Sequence, residues 1–190
     1  MKPDCLRIFA VADVHSPSAF RMAALSGADF DVVLTLGDID VDTLDYILFM
    51  GRAVPAYGVP GNHDPKDVPG LANLHCKVVD VNGLKIGGFG GCRRYKDAPW
   101  HFVEKQVARS MKRMPPVDIF ISHAPPLATS ADEDEIHRGF AAFDDYIARH
   151  HPAYWLHGHL DRRYQTVVGT TTVIGITDRM PLVLSFQGRP

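Results

Sequence analysis

An α/β fold built on mixed sheets is what this sequence predicts, and three observations predict it. Short apolar runs recur at residues 6–12, 31–36, 56–59, 117–121 and 153–156, each suited in length and pattern to a strand buried on both faces. Between them lie segments with apolar residues three and four apart, such as Leu44, Ile47 and Leu48, the spacing of a helix with one buried side. Asn82-Gly83 between two β-rich runs, 76–81 and 84–89, marks a two-residue hairpin, so antiparallel pairing joins the parallel set.

The chain of 190 residues is expected to form a single domain, 1–190, large enough to bury a full core. Its 46% apolar and 22% charged residues are those of an ordinary globular protein. A formal net charge of −2 supplies no field for gathering bulk nucleic acid, so a polyanion would need local groups or metals to hold it. No apolar stretch approaches the ~18 residues of a membrane span, and the first 14 residues lack a basic segment followed by an apolar core. A cytoplasmic place without membrane contact is therefore expected. Cys5, Cys76 and Cys92 are odd in number and widely spaced, which points to reduced, packed thiols rather than a disulfide framework.

Taken in order, each apolar run delivers polar groups at its end. Residues 6–12 stop at Asp13-Val14-His15, whose two polar side chains can converge on one ion, and a helix is expected over 18–26. Residues 31–36 run into Gly37-Asp38; Asp40 and Asp42 cap a helix over 42–52. Residues 56–59 lead into Pro60-Gly61-Asn62-His63-Asp64, an amide, an imidazole and a carboxylate side by side on a turn. Residues 64–74 read as a surface loop. The glycines at 87, 88, 90 and 91 lack the spacing of a phosphate cradle. Arg93 and Arg94 follow, either to clamp a phosphate oxygen or as a solvated pair.

A helix is expected over 100–114 with Val103, Val107 and Met111 on one face. Residues 117–121 end in Ser122-His123, and 131–135 is an acidic stretch beside His137, which could touch substrate but is expected at the surface. A helix over 139–151 carries Phe140, Phe143 and Ile147 inward and is closed by Pro152. Residues 153–156 end in His157-Gly158-His159-Leu160-Asp161, and 164–168, 170–176 and 182–186 look like closing antiparallel strands of a second sheet. Ligands gather at the carboxyl ends of strands in open α/β sheets, so these turns should face one crevice.

The ordered set Asp13-x-His15, Gly37-Asp38, Gly61-Asn62-His63-Asp64, His123 and Gly158-His159 resembles the calcineurin-like metallophosphoesterase superfamily over nearly the whole chain. The resemblance implies a four-layer αββα sandwich, two mixed β-sheets flanked by helices, with two divalent metal ions that hydrolyse a phosphomonoester or phosphodiester through a metal-bridging hydroxide. Carried over by position, Asp13, His15 and Asp38 match ligands of a first metal, with Asp38 bridging, while Asn62, His123 and His159 match ligands of a second. His63 matches the acid that protonates the leaving oxygen, and Asp64 the carboxylate that orients it. One departure is Gly158-His159-Leu160-Asp161 where the family reads Gly-His-x-His. Asp161 either supplies an oxygen ligand, favouring Mn²⁺ or Fe over Zn²⁺ or Ni²⁺, or turns outward and leaves the first site open. His157 matches no ligand position.

The expected substrate is a small-molecule or nucleotide phosphoester; the acidic balance and the lack of a basic groove disfavour nucleic acid. The resemblance also admits a second class of function, because small members of the superfamily include retromer-type scaffolds that bind a protein partner. Neither the oligomeric state nor the identity of the substrate is legible in these letters.

Overall fold

The first strand, β1 (Cys5–Ala12), is buried on both sides: Leu6, Ile8, Ala10 and Ala12 enter one core, Phe9 and Val11 another. That double burial is why the run reads as continuously apolar, and it makes the fold several layers deep. The structure, a computed structural model, describes residues 3–14, 30–50, 54–66 and 70–186. His15 and the helix expected over 18–26 lie outside the described residues.

Onward from β1 the chain forms β2 (Val32–Thr35), α1 (Val41–Met50), β3 (Ala56–Gly58), β4 (Ala72–Asn73), β5 (Lys77–Val81) and β6 (Leu84–Phe89). There follow β7 (Cys92–Arg93), β8 (His101–Phe102), α2 (Glu104–Met111), β9 (Ile119–Ser122), α3 (Ala141–His150) and β10 (Tyr154–His157). The chain then makes β11 (Tyr164–Val168), β12 (Thr171–Gly175) and β13 (Asp178–Ser185). One sheet has the order β13-β1-β2-β3-β4, with β1 to β4 parallel and β13 antiparallel at the edge. The other has the order β11-β12-β10-β9-β6-β5, with the four inner strands parallel and both edge strands antiparallel to them.

The two sheets face each other across a core that includes Ile8, Leu34, Ile86, Ile121, Leu156 and Ile174. Outside the first sheet, Leu44 and Ile47 of α1 pack on Phe9, Val11 and Val33. Outside the second, α2 and α3 cover Phe120 and Trp155, whose rings stack with centroids 4.2 Å apart. Helix, sheet, sheet, helix is the αββα sandwich expected. Its consequence is positional: the carboxyl ends of β1, β2 and β3 meet those of β9 and β10 at one edge.

Several local expectations change. The last three segments do not all close the second sheet: β12 runs parallel to β10, and β13 crosses back to cover the open edge of β1. It starts before Pro181, which an edge strand tolerates. Residues 100–114 do not begin as helix. Trp100 has φ 59°, His101 and Phe102 pair with Cys92 and Arg93, and the Gln106 side chain accepts from the Val103 amide at 2.9 Å, so α2 starts only at Glu104. The helix expected over 139–151 runs from Ala141, with Phe140 still extended, and ends where His151 turns left-handed at φ 50°. Among the thiols only Cys92 is packed, while Cys5 and Cys76 are exposed. No helix among the described residues is long and apolar enough to cross a membrane.

Candidate metal centre

Asp13, Asp38 and Asn62 come from the ends of β1, β2 and β3, three neighbours in one sheet, while His123 and His159 follow β9 and β10 in the other. Two turns must interpenetrate to achieve this. Gly37 has φ 91°, and a Cβ on it would lie 2.2 Å from the amide nitrogen of Gly61, so the Gly37-Asp38 and Pro60-Gly61 turns touch backbone to backbone. Carboxylates lock that contact: Asp64 Oδ2 accepts from the amides of Gly61 at 2.7 Å and Asp38 at 3.1 Å, and Asp38 Oδ1 accepts from the amide of His63 at 2.8 Å. Across to the other sheet, Asp13 Oδ2 accepts from the amide of His159 at 2.8 Å.

The backbone is strained at the same place. Asp13 (φ 55°), Asp38 (φ 55°), His159 (φ 71°) and Asp161 (φ 47°) all adopt the left-handed conformation that non-glycine residues avoid. Each such residue costs about 1 kcal/mol or more, and four of the nine left-handed non-glycine residues among the described residues gather here.

His123 is fully buried at the centre. Its Nδ1 donates to the Leu36 carbonyl at 2.8 Å, which directs Nε2 at Asn62 Oδ1, 2.8 Å away, and Asp38 Oδ2, 3.3 Å away. The Asn62 amide is held with its oxygen inward because its Nδ2 donates to the Tyr95 hydroxyl at 3.2 Å. Asp13, Asp38 and His123 each offer a ligand atom within 4.8 Å of the others, the one such group of ionisable ligands among the described residues. Here acceptors face a ring nitrogen that is itself an acceptor when neutral, so a cation must sit among them, either a proton or a metal. Burial opposes charge on His123, but Asp38 and Asp13 outweigh it and hold the imidazolium up to about 9. The two carboxylates are driven apart. Burial pushes Asp13 up to about 7, while His123 and the His63 amide, against burial, keep Asp38 down at about 2. Divalent cations among these side chains balance them without leaving a buried acid protonated; the donor set of imidazole, carboxylate and amide oxygen fits such ions.

His159 borders this cluster, its ring centroid 4.8 Å from that of His123. Its Nε2 donates to the Ile136 carbonyl at 2.9 Å, which leaves Nδ1 as its lone pair, and burial holds the ring neutral with its pKa down to about 3. His63, Asp161, Tyr95 and His137 line the same crevice of about 250 Å³. His63 and Asp161 are exposed, Asp161 at the rim and outside the 4.8 Å group. His157 does not reach the crevice. It is fully buried, with Nε2 2.6 Å from the Tyr164 hydroxyl and its pKa lowered by burial to about 4.

Arg93 and Arg94 are placed elsewhere. Arg93 donates to the Gly139 carbonyl at 2.9 Å and pairs with Glu104 at 3.2 Å, and both arginines line a neighbouring cavity rather than the crevice. His137, expected at the surface, is half-buried beside His159 with ring centroids 5.3 Å apart, its Nδ1 2.9 Å from Asp134. Tyr95 and the carbonyls of Leu36 and Ile136 went unassigned in the sequence; backbone acceptors carry no letter, and Tyr95 had no neighbouring motif to mark it.

A family model described as calcineurin-like phosphoesterase matches residues 6–162. This chain belongs to the calcineurin-like phosphoesterase family. Its fold is similar to that of TT1561 of Thermus thermophilus, with a TM-score of 0.66 at 17% identity over 91% of this chain and 89% of that one. It is also similar to the phosphopantetheinyl hydrolase PptH from Mycobacterium tuberculosis, with a TM-score of 0.56 at 14% identity over 90% of this chain and 89% of that one. Vacuolar Protein Sorting 29 from Cryptosporidium parvum matches with a TM-score of 0.50 at 12% identity over 91% of this chain and 74% of that one. At such identities these likenesses establish fold alone. An uncharacterised protein of Haemophilus influenzae is 31% identical over 72 residues, 33% of this chain and 32% of that one, so the match spans only a third of that relative's length. Membership of the calcineurin-like phosphoesterase family supports a metal-dependent phosphoesterase and a divalent-metal site.

Proposed function

We propose that this chain hydrolyses a phosphomonoester or phosphodiester with two divalent cations, held by Asp13, His15 and Asp38 on one side and by Asp38, Asn62, His123 and His159 on the other. The observation that carries the reading is the group around His123 Nε2, where Asn62 Oδ1 and Asp38 Oδ2 face the ring nitrogen and Asp13 offers an oxygen within 4.8 Å of the Asp38 and His123 ligand atoms. Divalent ions bound there supply Lewis-acid charge to phosphoryl oxygens and bring a water toward ionisation near neutral pH.

The residues of the chain do the rest. In this reading His63, which lines the crevice on the turn that Asp64 and Asp38 fix, gives a proton to the leaving oxygen. The Leu36 and Ile136 carbonyls set the tautomers of His123 and His159, and Tyr95 sets the Asn62 amide, so that lone pairs point inward. Oxygen and imidazole donors suit Mn²⁺ or Fe and also accommodate Zn²⁺ or Ni²⁺. A crevice of about 250 Å³ suits a small-molecule or nucleotide phosphoester. A cytoplasmic place, where three free thiols stay reduced, belongs to the same reading.

Turnover of phenyl phosphate, p-nitrophenyl phosphate and bis(p-nitrophenyl) phosphate, measured with each of these metals, tests it. Hydrolysis of at least one ester is expected, with His63→Ala slowing phenyl phosphate more than the p-nitrophenyl ester, whose less basic leaving oxygen needs less help. No turnover under any metal overturns the proposal. A partner-binding scaffold is the second reading, favoured by one observation, the exposed Asp161 at the rim where the family has histidine. Elemental analysis after metal loading separates the two: less than one ion per chain supports the scaffold.

A further inference from the structure

The cavity beside the crevice holds a concentration of arginine that the chemistry described so far leaves unused. About 240 Å³ in volume, it is lined by Arg93, Arg94 and Arg138 against Glu104 and Glu135, a net charge of +1. The pairing inside it is uneven. Arg93 is spent on structure, with its guanidinium on Glu104 at 3.2 Å, its Nε on the Gly139 carbonyl, and the Phe140 ring 5.7 Å beneath. Glu104 is likewise committed, because it also accepts from the Ala142 amide at 2.8 Å at the start of α3. Arg94 makes no ion pair among the described residues. Arg138 reaches only the Glu133 carbonyl, at 3.3 Å, and its Nε is buried without a partner. Neither guanidinium is ion-paired among the described residues, although Glu135 lines the same concavity, and a buried orphan N–H is a standing cost that an anion would remove.

The position of this cavity matters as much as its charge. Arg94 lines it while the next residue, Tyr95, lines the metal crevice; Glu135 and Arg138 line it while Ile136 and His137 between them line the crevice. Two segments, joined by the bond from Arg93 to Gly139, therefore form a single wall with the crevice on one side and the arginines on the other.

We infer that Arg94 and Arg138 form a subsite for a second phosphate on the substrate, so that the preferred ester is one whose alcohol portion carries a phosphate of its own. The inference rests on the phosphoesterase reading above. A dianionic phosphate answers two forked guanidiniums, which lysines or a neutral group would not match. The reacting phosphate occupies the crevice while the distal one crosses the Tyr95 and His137 wall.

A chain-length series tests it with phosphate release as the readout: alkyl monophosphates of three to eight carbons against the corresponding α,ω-alkanediol bisphosphates, with Mn²⁺. Two equivalent phosphates give a twofold advantage by statistics alone. The expected result is a preference for the bisphosphate in kcat/KM of about tenfold or more at one favoured length, expressed mainly in KM. Arg138→Gln and, separately, Arg94→Gln should bring that ratio back toward two, with melting curves confirming that each variant is folded. Arg109→Gln on the exposed side of α2 removes the same charge elsewhere and should leave the ratio as it is. Equal hydrolysis of the two series beyond the factor of two, or a preference untouched in both subsite variants, overturns the inference and leaves the phosphoesterase standing. Hydrolysis of neither series under any metal overturns both.

Discussion

A Cβ on Gly61 would lie 2.0 Å from Asp38 Oδ1, a separation no real contact sustains. Gly61→Ala must therefore push apart the two turns that carry Asp38 and Asn62, and the shift falls on the carboxylate that faces His123. We expect that variant to lose most of its bound metal, by about 10–100-fold in affinity, while remaining folded; equilibrium dialysis against Mn²⁺ checks it, and wild-type affinity would contradict the geometry. At this scale much was legible. Asp13, Asp38, Asn62, His63, His123 and His159 were each readable as polar side chains ending an apolar run. The left-handed backbone of Asp13, Asp38 and His159 was not, because strain of this kind leaves no mark in a local pattern. Nor were the groups that aim the ligands. A carbonyl such as that of Leu36 or Ile136 looks the same whichever side chain it bears, and only the tertiary fold brings it to an imidazole.

Helix α3 carries a test at the next scale. Asp144 in its first turn accepts from the Ala128 amide, yet burial, with Asp145 and Glu104 nearby, pushes its carboxyl up to about 6. The folded state thus holds this proton more tightly than the unfolded chain does, so the group adds stability as pH falls from about 6 toward 4 and detracts from it at neutral pH. Asp144→Asn keeps an oxygen for the Ala128 amide and removes the charge. Thermal melts should show the variant gaining on wild type at pH 7 and the gain shrinking toward pH 4; a difference that does not vary with pH would refute the assignment. Elements also show why the strands read well and their margins did not. In β9 and β10, Ile121 and Leu156 face the inter-sheet core and Phe120 and Trp155 the helices, so burial on both sides yields an unbroken apolar run. At the edge, β13 has no such signature and contains Pro181, and the start of α2 was set by a Gln106 side chain bond rather than by periodicity.

Seen whole, the centre is a polar rivet between two sheets that face each other across an apolar core: one side supplies Asp13, Asp38 and Asn62, the other His123 and His159. Without a cation the rivet is poorly balanced. Asp13 is held up at about 7 and His123 up at about 9, each keeping a proton that a metal ligand must give away. Binding must then release protons, and affinity must rise as pH climbs through roughly 7 to 9 and fall as it drops below that window. The ion binds only the folded arrangement, since the ligands come from turns 146 residues apart in sequence at their extremes, Asp13 and His159. At a hundred times its dissociation constant it therefore adds ~2.7 kcal/mol, which for a chain of this size is a rise of about 5–10 °C in Tm. Melting curves with Mn²⁺ and with chelator measure that rise, and Asp38→Asn should abolish most of it. Calorimetry in two buffers of different ionisation heat measures the protons: a binding heat independent of buffer would mean that Asp13 and His123 give none up, and a Tm indifferent to the ion would mean that these side chains converge without holding a metal.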